Sequence, residues 1–285
     1  MTLILFGLVS LFRTGEKGRR SPLTRELLRS PGESLRAQIE DISVNVDSLL
    51  VVIVNFPIIV YSTYLSQIYF SSGKQSNFLI IIYLLLCGLP TSFWAVKIWR
   101  LLKQRRSLYL ALDCELAVGQ ELNHLMLEGC RVYHDFPADK FNIDHVVVSP
   151  KGVLAVETKG RAKPDKKKGS AEATVVYDGQ ALRFPGWNEK EPLDQSKRQA
   201  VWLSTWLCSA VGEQITVKPV LALPGWFIDR KKPSSDVILF NGKNPDLLLK
   251  WGNSTPLSEA LMQRVVHQLD QRCRDVEPSA YKKTE

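Results

Sequence analysis

Two stretches of the chain lack the mixture of apolar and polar positions that marks a water-facing element. Residues 49–69 hold no charged side chain, and a second apolar run covers 78–94, extending to Trp99 past Lys97. A helix that crosses a hydrocarbon layer of about 30 Å needs about 20 such residues, so both runs predict transmembrane helices. Pro57 and Pro90 lie inside them, which is tolerated in lipid where neighbouring groups satisfy the freed carbonyl. Tyr61, Tyr64, Tyr69, Trp94 and Trp99 fall toward the ends, where aromatic side chains favour the interface. A buried core helix of this length would normally carry a polar face.

Beyond residue 101 the pattern becomes that of a globular domain. Residues 101–130 predict a helix continuing out of the second run, with leucines on one side and Gly129 as its stop. Residues 131–135 read as a short strand. Residues 143–148 are β-branched and apolar, Pro150, Lys151 and Gly152 supply turn chemistry, and 153–159 read as a return strand. Pro192 opens another helix, and 217–222 form an apolar strand. Residues 257–273 have helical spacing, and the last dozen residues read as a frayed end.

This order predicts an α/β fold, a central mixed sheet flanked by helices, on a two-helix anchor. The expected divisions are 1–46 as a basic N-terminal segment, 47–101 as the transmembrane pair, 102–114 as a linker helix, 115–225 as the principal domain and 226–285 as its C-terminal extension. Residues 1–12 are apolar, too short to span and without a basic start, which predicts an interfacial segment rather than a signal peptide.

Charge gives the pair a direction. The net charge is +8, but residues 102–285 hold 27 Lys/Arg against 23 Asp/Glu, about +4. That permits nucleic acid binding without arguing for it. Arg13, Lys17, Arg19, Arg20, Arg25, Arg29 and Arg36 precede the first run, and Arg100, Lys103, Arg105 and Arg106 follow the second, whereas the loop between carries only Lys74. Positive flanks mark the cytoplasmic side. The expectation is a multi-pass protein of a bacterial-type inner membrane with both termini in the cytoplasm. The five cysteines form no C-x-x-C pair, which points away from a zinc site or disulfide framework.

Candidate chemistry is concentrated in the hairpin. If its turn is centred between Pro150 and Lys151, Asp144 lies opposite Glu157, with Cβ atoms about 4.5–5.5 Å apart. Side chains alternate along a strand, so Lys159 shares the face of Glu157. Two adjacent carboxylates on a buried face need neutralising. Hard oxygen ligands select Mg²⁺ or Mn²⁺, and a lysine beside them would support charge on a reacting phosphate. His145 is next to Asp144 but points the other way, as a structural histidine would. Arg161, Lys163, Lys166, Lys167 and Lys168 form a basic loop suited to phosphate contacts.

At these residues the chain resembles the nuclease-related domain (NERD) family, a branch of the PD-(D/E)xK, restriction-endonuclease-like superfamily. The resemblance rests on Gly119-Gln120-Glu121, Ile143-Asp144-His145, Gly152-Val153 ahead of Glu157-Thr158-Lys159, and Glu191-Pro192-Leu193-Asp194-Gln195. It implies a restriction-endonuclease-like sheet. It further implies Asp144 and Glu157 as metal ligands with Glu121 as a helix-borne third acid, Lys159 as the catalytic lysine and Gln195 as a supporting or substrate-contacting glutamine. The activity so implied is metal-dependent phosphodiester hydrolysis, in DNA more than RNA. The alternative is a catalytically silent, membrane-bound nucleic acid binder or assembly protein that keeps the fold.

Overall fold

The computed structural model of the chain describes residues 22–70, 77–164, 173–232, 236–251 and 256–278. The interfacial segment expected at 1–12, the loop between the apolar helices, and Lys166, Lys167 and Lys168 lie outside these residues.

A short strand, β1 (Leu27–Leu28), precedes two long helices, α1 (Glu33–Phe70) and α2 (Asn77–Asn123). Both are long and apolar enough to cross a membrane, and very few of their apolar residues are buried. Phe93 and Leu89, for example, stay 68% and 69% exposed. The helices touch through Phe56 and Trp94, edge to face at 4.9 Å between centroids, and through a Tyr83 hydroxyl donating to Gln67 Oε1 at 2.7 Å. Helix α2 continues without a break from its apolar run into the globular domain, so residues 102–114 are one rod with what precedes and follows. A 3₁₀ turn (His124–Glu128) ends at Gly129, whose φ of 80° is the left-handed conformation of a helix stop.

Three antiparallel strands follow: β2 (Arg131–Pro137), β3 (Asn142–Ser149) and β4 (Gly152–Thr158). Next come β5 (Thr174–Tyr177), β6 (Leu182–Phe184), β7 (Trp187–Glu189), helix α3 (Glu191–Val211) and β8 (Val217–Ala222), which pairs in parallel with β4. Strands β9 (Phe227–Arg230) and β10 (Ile238–Phe240), helix α4 (Glu259–Cys273) and β11 (Arg274–Val276) complete the described chain. The main sheet is mixed, in the order β10-β8-β4-β3-β2; β7-β6-β5-β9 form a second sheet and β1-β11 a third.

Strand β4 lies at the centre of the main sheet and every one of its residues is buried. A strand covered on both faces reads as a continuous apolar run, which is how 152–156 reads. On one face Val146, Val148, Val153 and Ala155 pack against Ala200, Leu203 and Leu207 of α3 and Val265 and Leu269 of α4. On the other, Val147, Leu154 and Val156 meet Val118 and Leu122 of α2. The sheet flanked by helices is therefore as the pattern predicts. The C-terminus differs from expectation: Arg274–Val276 is not frayed but pairs with Leu27–Leu28. The partner strand lies some 250 positions away in sequence, beyond the reach of local pattern.

Candidate active site

The hairpin register runs Ser149 to Gly152, Val148 to Val153 and His145 to Val156. Continued by one pair, it sets Asp144 opposite Glu157, with no bulge at Gly152 to shift it. Asp144 Oδ2 accepts from the Thr158 backbone N–H at 2.6 Å, which ties the two strand ends together. The Lys159 ammonium, two residues beyond Glu157 on the same face, lies 2.5 Å from Glu157 Oε1.

Helix α3 covers this face. One turn apart on it, Gln195 Nε2 donates to Glu157 Oε1 at 2.8 Å and Gln199 Nε2 to Glu157 Oε2 at 2.6 Å. Gln199 Nε2 also reaches the Asn142 carbonyl at 3.3 Å. Glu157 is 2% exposed. An unpaired carboxylate there would cost several kcal/mol, and these partners at both oxygens offset that penalty while fixing the orientation of the group.

Asp144 holds its proton well above the usual carboxylate range, because burial, then the Glu157 and Glu115 carboxylates, oppose its charge. The Thr158 N–H and the Lys159 ammonium act the other way. Glu115 belongs to the same electrostatic group. It lies on α2 well past Trp99, outside the apolar segment, and is 8% exposed. Burial first, then Asp135 and Glu157, raise it to about 8.

Glu121 is not brought to this group. Its side chain is 42% exposed and lies 3.8 Å from His124 on the same helix. Six residues along a helix amount to about 240° of rotation, so Glu115 and Glu121 face different ways and Glu115 is the helix-borne acid near the hairpin. A signal for it exists in the sequence. Leu112, Glu115, Val118, Gly119 and Leu122 are the buried stripe of α2, and a glutamate inside an apolar stripe calls for a reason.

Of the basic loop, Arg161 and Lys163 lie among the described residues. Arg161 is engaged by Glu189, with Nε at 2.9 Å from Oε1 and Nη2 at 2.7 Å from Oε2, and Glu189 Oε1 accepts from Trp187 Nε1 at 2.8 Å. Its guanidinium is thus neutralised rather than presented to a phosphate, while Lys163 is exposed. His145 faces away from Asp144, fully buried. Its Nδ1 lies 2.9 Å from His134 Nδ1, and His134 Nε2 lies 3.0 Å from Asn123 Oδ1. Burial pushes His134 down to about 4 and His145 well below its usual value, so both are neutral and neither titrates near pH 7.

The Asp144 and Glu157 carboxylates are oxygen donors of the kind that suits a hard divalent cation, and burial first, then repulsion among the acids, raises the proton affinity of Asp144 and Glu115. Among the described residues, no group of three or more His, Cys, Asp or Glu side chains is placed to hold a metal ion. Lys159 supplies the direct countercharge to Glu157. Residues 111–224 match the family model described as nuclease-related domain, NERD. No curated protein and no solved structure matches the chain.

Proposed function

Starting from a chain that carries a nuclease-related domain over residues 111–224, we propose that it is a membrane-anchored, divalent-metal-dependent nuclease that hydrolyses phosphodiester bonds, in DNA rather than RNA. One observation carries the reading: Glu157 is gripped by Gln195, Gln199 and Lys159 at the point where the hairpin register sets it opposite Asp144. Two neighbouring carboxylates that can hold a metal ion, with an ammonium beside them, are suited to metal-assisted phosphodiester hydrolysis.

Asp144 and Glu157 would hold a Mg²⁺ or Mn²⁺ ion, with the Glu115 carboxylate adding negative charge nearby. Such an ion, when bound, acidifies a water and draws in a phosphate oxygen. Gln195 and Gln199 keep the Glu157 carboxylate in one orientation, so little rearrangement is needed at the moment of reaction. Lys159, 23% exposed at its side chain, stabilises negative charge as it builds on the attacked phosphate. Exposed Lys163, together with Lys166, Lys167 and Lys168, supplies further phosphate contacts, which makes binding weaken as salt rises. The positive flanks of the apolar helices support a reading in which both termini lie on the cytoplasmic side of a bacterial-type inner membrane.

The test uses the full chain purified in detergent, incubated with plasmid DNA and Mg²⁺, with and without a chelator. Cleavage is expected to need the metal and to fall at least about 100-fold in Lys159→Ala, the range for losing one transition-state charge donor, with the melting profile retained. Cleavage that survives this substitution sinks the assignment. A second reading, a silent nucleic acid binder, draws on the same Lys159–Glu157 pair, since the ammonium already satisfies the acid. It predicts salt-dependent DNA binding, indifferent to chelator, and no cutting.

A further inference from the structure

The matched domain begins at residue 111, yet the wall of the site does not. Pro31 and Gly32, just ahead of the first apolar helix, lie across the face of α2 that carries Leu112, Glu115 and Gly119. A methyl group added at Gly119 would come within 2.7 Å of Pro31 Cγ, and one added at Gly32 would lie 2.4 Å from Leu112 Cδ1 and 3.5 Å from Glu115 Oε2. Gly32 has a φ of +69°, the left-handed turn that lets the backbone come this close.

The same segment is fastened to the hairpin side of the site. Asp135, 2% exposed, accepts from the Ser34 backbone N–H and hydroxyl, both at 2.7 Å. It thereby caps the first turn of α1, where a carboxylate is favoured by the helix dipole. Arg29 lies 3.0 Å from Asp135 and grips Asp275 through Nε and Nη2 at 2.7 and 2.8 Å. Asn142 Nδ2 donates to Asp135 Oδ1 at 3.0 Å, and the Asn142 carbonyl accepts from Gln199, which holds Glu157. An unbroken run of hydrogen bonds thus joins Ser34, Asp135, Asn142, Gln199 and Glu157.

We infer that residues 29–34 are a positioning element of the active site: the root of the first apolar helix sets where Glu115 and Glu157 stand. This rests on the metal-site reading given above. The anchor is then part of the catalytic unit rather than a tether, and movement of α1 relative to the sheet is felt at two acids. A domain cut at residue 102 would keep all the acids and lose what places two of them.

The experiment measures Mn²⁺ binding to the full chain in detergent by electron paramagnetic resonance, beside cleavage and melting temperature. Gly119→Ala, which improves helix propensity but collides with Pro31, is expected to weaken Mn²⁺ binding by roughly 10-fold or more, the usual effect of losing a group that orients a ligand. Adding Pro31→Gly removes the closer collision, leaving the 3.3 Å approach to His145 Cε1, and should recover most of the lost affinity, the coupling a double-mutant cycle reads. Gly212→Ala, at a φ of +74° with open space around it, should lower the melting temperature and leave Mn²⁺ affinity unchanged. If Gly119→Ala does not accumulate, Ser34→Ala, which adds no atoms, should weaken Mn²⁺ by roughly 3-fold on the same reasoning. Unchanged Mn²⁺ affinity in Gly119→Ala, or in Ser34→Ala where that is the variant measured, overturns the inference and leaves the metal site standing. A wild-type chain that binds no Mn²⁺ overturns the metal-site reading and this inference with it.

Discussion

Glu115→Gln offers the sharpest physical test of the acid cluster. Glu115 sits 8% exposed, and burial with Asp135 and Glu157 for neighbours raises it from 4.5 to about 8. The folded chain therefore binds a proton at this site that the unfolded chain has released, throughout that interval. Stability falls wherever the folded state holds more protons. The Glu115 contribution is intact below about pH 4.5 and is lost as pH climbs to about 8. At 1.36 kcal/mol per unit, the full loss is on the order of 5 kcal/mol. For a domain of this size, that corresponds to roughly 10–20 °C in melting temperature. Asp144, raised by burial and the same neighbours, adds to the loss with the same sign.

The assay is thermal unfolding followed by tryptophan fluorescence, in chelator, at intervals from pH 5 to 8, for wild type and Glu115→Gln. The glutamine cannot ionise, so its curve should fall less steeply, and at pH 8 the variant should be the more stable protein. Millimolar Mg²⁺ should flatten the wild-type curve, because binding to the folded state alone stabilises it. Parallel curves for the two proteins would refute the reasoning, since they would mean that Glu115 carries no uncompensated charge.

Three further outcomes follow from the same geometry. Glu121→Ala should leave cleavage and Mn²⁺ affinity unchanged, because its side chain is largely solvated and lies beside His124; a loss in either assay would return it to the metal site. Gln199→Met should cut the cleavage rate by roughly 10-fold or more and destabilise by about 1–3 kcal/mol in denaturant titration, because buried Glu157 Oε2 loses its donor. Arg29→Ala should destabilise by about 2–3 kcal/mol, below the usual figure for an orphaned buried charge because Asp135 keeps Ser34 and Asn142.

Much of the site was legible before any coordinates. The hairpin could be read because its turn residues fix the register, and the register alone sets Asp144 opposite Glu157 and aligns Lys159 with it. Gln195 was legible through the resemblance and Gln199 shares its face one helical turn on, but that the two amides take the two oxygens of Glu157 was settled by packing. Glu121 is the acid that the resemblance picks out on α2, whereas Glu115 shows itself only as a carboxylate inside the apolar stripe of Leu112, Val118 and Leu122. The pairing of Arg161 with Glu189 is not legible in the sequence, because the partner comes 28 residues later on a strand of the second sheet.

By itself, the sequence determined the quantities that depend on near neighbours. Two apolar runs have the length of a bilayer, the strands alternate, the turns fall at Gly129 and Gly152, and a carboxylate pair with its lysine follows from a period of two. Tertiary structure decided which acid of α2 joins that pair, which cations are already spent on partners, and that residues 29–34 wall the site. Those are long-range facts. They follow from how rods and sheets pack once their faces are buried, and a chain read in order does not show which distant segment will lie against a given face.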